Sequence, residues 1–122
     1  MIDEKKALLE QLPRHGWEVI SIETDELDWW ADEIWKIRSV WDSECPELFV
    51  TFLIDPQADT RGGKRTRDIW GVRASLERPT QWQGEEGVVY WGDGPEWRTM
   101  LADFMGKLPD LAKSGRGTTP RP

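Results

Sequence analysis

The sequence predicts an α+β fold: a single antiparallel sheet of four to five strands, with an N-terminal and a C-terminal helix packed on one face. Three observations carry this reading. Helical periodicity is clear only at the two ends of the chain, and strand-like runs follow one another between them. The linkers between those runs are polar or rich in turn formers, as hairpin connections are. The run LFVTFLI, residues 48–54, is apolar on both faces, the pattern of a central strand.

Residues 3–12 form the first expected helix. Asp3 is placed to cap it, and Leu8, Leu9 and Leu12 make one apolar face. Pro13 is expected to stop it, and residues 14–16, RHG, to turn. WEVISIE, 17–23, is rich in β-branched residues and predicts the first strand.

The next stretch supports two patterns. Leu27, Trp30, Ile34, Ile37 and Trp41 make a helical stripe, yet 33–41, EIWKIRSVW, has strand composition and alternation. The composition favours a turn or short helix at 25–31 and a strand at 33–41. A hairpin loop at 42–47 leads into the central strand 48–54. A polar loop, 55–68, precedes a strand at 69–77 with Trp70, Val72, Ala74 and Leu76 facing inward. QWQGEEG turns into a short strand at 88–91.

The last helix has Asp93 or Gly94 as its cap and Pro95 at its first position. Trp97, Met100, Leu101, Phe104, Met105 and Leu108 recur at helical spacing, and Pro109 kinks or ends it. Residues 1–113 read as one domain and 114–122 as a disordered tail without an apolar face. A one-sided sheet would leave its second face open to a partner.

The chain of 122 residues carries a net charge of −7. Arg61, Lys64, Arg65 and Arg67 lie in one loop, and Arg116 and Arg121 in the tail. Setting these six cations aside deepens −7 to −13 on the rest. Such an acidic body repels phosphate backbones, so nucleic acid is not the expected partner; a basic protein is. No apolar run approaches the ~20 residues of a membrane span. The N-terminal MIDEKKALLE lacks an apolar signal core, and Cys45 is the single cysteine, which together predict a soluble, reducing, cytoplasmic setting.

The stretch DELDWWADEIW, 25–35, concentrates the unusual chemistry. Neighbouring residues on a strand point to opposite faces, so Trp29 and Trp30 are not expected to share one core. An exposed tryptophan among acids has the anchor-and-charge composition of a protein interface. The leading expectation is therefore a small acidic interaction module, of inhibitor, immunity-type or chaperone-like character. It would dock its basic partner through Asp25, Glu26, Asp28, Trp29, Trp30, Asp32, Glu33 and Trp35.

Two other readings stand beside it. Asp28, Asp32 and Glu33 offer a carboxylate set for Mg2+ or acid–base chemistry. Trp82 and Trp91 offer aromatic platforms for a sugar or small ligand. The basic loop RGGKRTR, 61–67, lacks the Ser or Thr after its lysine that a phosphate-binding loop needs, and reads as an anion-binding or flexible loop. His15, the only histidine, sits in a turn, and nothing pairs it with Cys45 as a nucleophile–base couple. One histidine and one cysteine leave no structural zinc site, and the pattern calls for no cofactor.

Overall fold

Five strands pair in chain order into one antiparallel sheet: β1 (Trp17–Glu23), β2 (Ala31–Ser39), β3 (Leu48–Ile54), β4 (Ile69–Ser75) and β5 (Val88–Asp93). They belong to a computed structural model that describes residues 2–25, 27, 29–54, 69–80 and 87–113. Helix α1 (Asp3–Arg14) precedes the sheet and α2 (Trp97–Leu111) follows it. Among the described residues no helix is long and apolar enough to cross a membrane.

The alternation of each strand sets the layers. Trp17, Trp35, Ile37, Val50, Phe52, Val72 and Ala74 project to one side, where Leu8 and Leu12 of α1 and Trp97, Leu101, Phe104 and Leu108 of α2 close over them. β3 is central and buried on both faces, as its unbroken apolar run requires. Two buried side-chain bonds tie the end of α2 to the sheet. The Trp17 indole donates to the Leu108 carbonyl at 2.9 Å, and the Ser39 hydroxyl to the Ala112 carbonyl at 2.8 Å.

Both edge strands carry a bulge. The extra residue is Ile20 in β1 and Val89 in β5, and both side chains are exposed. A bulge bends an edge away from further strand pairing, which guards a five-stranded open sheet against edge-to-edge association.

Several boundaries differ from expectation. α1 continues through Pro13 to Arg14, and α2 through Pro109 to Leu111. Each proline lies in the last turn, where its missing N–H removes only one helical bond. Asp3 is the first helical residue rather than the cap; Ile2 takes the cap position, with no side-chain bond. Pro95 precedes α2, because the Trp97 amide first closes a turn on the Gly94 carbonyl at 3.1 Å. β2 starts two residues early and stops at Ser39, leaving Val40 and Trp41 exposed. β4 ends at Ser75, so Leu76 faces solvent rather than the core. The expected loop 55–68 and tail 114–122 lie outside the described residues.

The second face of the sheet is not bare. Trp30, Ala31, Ile34 and Leu53 are buried there, with Leu27, Phe49 and Trp91 packed against them. The chain beyond β4 also crosses this face. Arg78 reaches Glu23 at the end of β1, three strands away, with bonds of 2.8 and 3.0 Å.

Candidate functional site

The candidate site lies on that second face, where the segment before β2 meets residues 78–80. The Ile54 amide donates to the Trp30 carbonyl at 2.8 Å and fixes the backbone against β3. Trp30 turns inward and is 5 % exposed, while Trp29 turns outward and is 45 % exposed. Adjacent side chains diverge at this point of the chain.

Leu27, Trp30, Ala31, Ile34, Arg78, Pro79 and Thr80 line a shallow, half-open cleft of about 170 Å3. Leu27, Trp30, Ala31 and Ile34 supply its apolar side, and Arg78 and Thr80 make most of its exposed lining polar. The pairing with Glu23 holds Arg78 in place. The same bonds from Arg78 push the Glu23 pKa below its ordinary value. Its folded pKa is thus below its unfolded one. The pair therefore contributes fully above the ordinary glutamate range and is lost as pH falls through the folded pKa. In an NMR titration Glu23 should protonate below an ordinary glutamate, and Arg78→Gln should return it toward that range. An unshifted Glu23 would mean that the pair does not form in solution.

Behind the cleft sits a buried cation. Arg73, on β4, places its guanidinium 5.4 Å from the Trp30 ring centre and 5.0 Å from that of Trp91. It is almost wholly buried, and desolvation lowers its pKa from the ordinary arginine value. Two indole faces offset part of that desolvation. Thr51 stands opposite Arg73 in the sheet register, and its buried hydroxyl has no hydrogen-bond partner among the described residues. Neither residue was signalled by motif. The sign that was available is Arg73 itself, a cation in the middle of a strand, on the face opposite Val72 and Ala74.

The acidic stretch divides. Asp32 and Glu33 both hold Lys5 of α1, at 2.5 and 3.2 Å. Consecutive strand residues reach the same cation because β2 bulges between Ala31 and Glu33. Lys5 is 6 % exposed and lies 5.3 Å from the Phe52 ring centre. Glu33 also accepts the Trp35 indole N–H at 2.8 Å.

Trp35 is fully buried in the helix-side core. It was expected among the partner-binding residues, and the parity of β2 places it on the face covered by the helices instead. Trp30 likewise presents no exposed ring and serves as a wall of the cleft. Asp25 is exposed. Glu26 and Asp28 lie outside the described residues, as do Arg61, Lys64, Arg65, Arg67 and Trp82. Trp91 is described, and Arg73 lies over its ring.

Among the described residues, no group of three histidine, cysteine, aspartate or glutamate side chains is placed to hold a metal ion. The cation between Asp32 and Glu33 is the Lys5 ammonium. His15 Nε2 bonds Gln11 Oε1 at 2.8 Å, and the buried Cys45 thiol donates to the Leu111 carbonyl at 3.3 Å. Each is thus engaged within its own neighbourhood rather than with the other. Comparison with protein-family models, with curated proteins and with solved structures finds no match for this chain.

Proposed function

We propose that this protein is an intracellular interaction module, of inhibitor, immunity-type or chaperone-like character, that docks a basic protein partner through the acidic sequence segment 23–35, with Trp29 as its exposed anchor. The observation that carries the proposal is Trp29. It stands 45 % exposed in the most acidic stretch of the chain, next to a Trp30 that is locked in place. A large side chain presented on a fixed backbone loses little entropy on binding, and tryptophan is one of the residue types enriched among interface anchors.

The charge of this segment supports the choice of partner. Residues 23–33 hold six acids, of which Lys5 and Arg78 neutralise two equivalents, leaving four negative charges net. Carboxylates of this kind speed encounter with a basic surface, while the aromatic anchor slows release. Asp32 and Glu33 contribute to the field without being available as catalytic groups in their present bonds to Lys5.

The test is affinity capture from cell lysate at low salt, with wild type and Trp29→Ala as parallel baits. Wild type should retain a basic protein that leaves as salt rises. Trp29→Ala should keep its melting temperature and lose most of that protein. Equal retention by both baits, or unfolding of the variant, would remove Trp29 as the anchor and with it the proposal.

A further inference from the structure

Among the described lysines only Lys5 is buried. It lies on the same side of α1 as Leu8 and Leu12. Its two carboxylate partners are consecutive residues of β2, Asp32 at 2.5 Å and Glu33 at 3.2 Å. In a regular strand consecutive side chains point to opposite faces, so one cation would not hold both. Glu33 belongs on the helix side by its own parity, two residues from Trp35, whose indole N–H it accepts. Regular alternation would then put Asp32 on the other face with Ile34, in the apolar layer of Trp30, Ile34 and Leu53. Asp32 turns to Lys5 because β2 is bulged there. Ala31 stands opposite Leu53 and Glu33 opposite Phe52, with Asp32 as the extra residue between them.

The bulge decides how the chain enters β2. By the parity of Glu33 and Trp35, Ala31 would fall on the helix side. The extra residue moves it to the second face, where it is buried with Trp30 and Leu53. In that setting the Trp30 carbonyl accepts the Ile54 amide, Trp30 packs inward and Trp29 is left outside. A bulge interrupts the ladder locally and re-aims side chains, so it needs a contact that favours it over the regular strand. Lys5 supplies one, a buried charge-assisted bond to the extra residue itself.

We infer that Lys5 is a positioning residue of the docking segment: by drawing Asp32 and Glu33 to one face, it holds the bulge that fixes Trp30 inward and presents Trp29. The functional half of this inference rests on the docking proposal. The structural half is read without a partner.

Amide hydrogen exchange on the full chain reads the structural half. The Ile54 amide, bonded to the Trp30 carbonyl, is compared with the Val50 amide in the middle of β3, a strand paired on both sides. Lys5→Met should speed Ile54 relative to Val50 by about tenfold or more, because the opening is local. Adding Asp32→Asn and Glu33→Gln should restore stability and leave the ratio raised, since no cation then draws the two side chains together. Deleting Asp32 from the Lys5→Met chain should return the ratio to its wild-type value. Ala31 and Glu33 then keep their partners by ordinary alternation, and no bulge needs holding. An unchanged ratio in Lys5→Met, or a ratio that recovers together with stability in the triple variant, overturns the inference. The triple variant decides this even if the deletion does not fold.

Affinity capture reads the functional half. The triple variant should lose the basic protein as Trp29→Ala does. If it shows the raised ratio and still retains a protein that Trp29→Ala loses, Lys5 does not serve docking, and this inference falls while the docking proposal stands. If wild type captures no basic protein, the docking proposal falls and takes the functional half with it.

Discussion

Trp35→Ala is expected to destabilise the fold by about 3–5 kcal/mol, the usual cost of deleting a buried aromatic side chain. Trp35 is fully buried between β1 and β3 and packs tilted against Phe52, with ring centres 5.2 Å apart. Its indole N–H is satisfied by Glu33. Removal therefore opens a cavity in the helix-side core and strips Glu33 of a donor. A domain of this size has a total stability of about 5–15 kcal/mol, so the loss is at least about a fifth of it. Trp29→Ala, by contrast, should stay within about 1 kcal/mol of wild type. Urea unfolding of the two variants side by side separates the roles. A Trp35→Ala protein as stable as Trp29→Ala would return Trp35 to the docking surface.

The contrast between these tryptophans shows what the sequence makes legible. The central strand could be read because its neighbours bury both its faces, which leaves an apolar run. The first strand could be read because WEVISIE has strand composition between a glycine turn and an acidic linker. The stretch 25–41 resisted because two periodicities coexist in it. Leu27, Trp30 and Ile34 have helical spacing and do share one side, the cleft wall. The bulge between Ala31 and Glu33 puts Ala31 and Ile34 on that side, while Leu27 and Trp30 precede the strand and are not helical either. Ile37 and Trp41 continue the same spacing but go elsewhere, to the helix-side core and to solvent.

The site was less legible than the fold because its parts are joined only by folding. The acidity of 23–33 is plain in the sequence. That Arg78 answers Glu23 across 55 residues, and Lys5 answers Asp32 across 27, is not. Both cations come from elements whose local patterns give them ordinary surface roles. The second face was expected to be open because the helices cover only one side. No periodicity announces that the chain after β4 turns back across the sheet, yet that crossing creates the cleft.

Lys5→Ala carries the other large expected effect, a loss of about 3 kcal/mol, or roughly 10 °C in melting temperature. Lys5 is buried, and two carboxylates converge on its ammonium from a bulged strand. Without it, Asp32 and Glu33 lose the ammonium that both contact, with only partial access to water. Lys5→Met restores most of the volume and should lose nearly as much, which makes charge rather than packing the cause. Adding Asp32→Asn and Glu33→Gln to Lys5→Met removes both charges and should recover much of the stability. The same experiment decides between binding and catalysis. If the pair serves an internal lysine, millimolar Mg2+ leaves the wild-type melting temperature unchanged. If Mg2+ raises it, and Asp32→Asn abolishes the rise, the carboxylates prefer a metal to Lys5, and the metal-dependent enzyme reading displaces the interaction module.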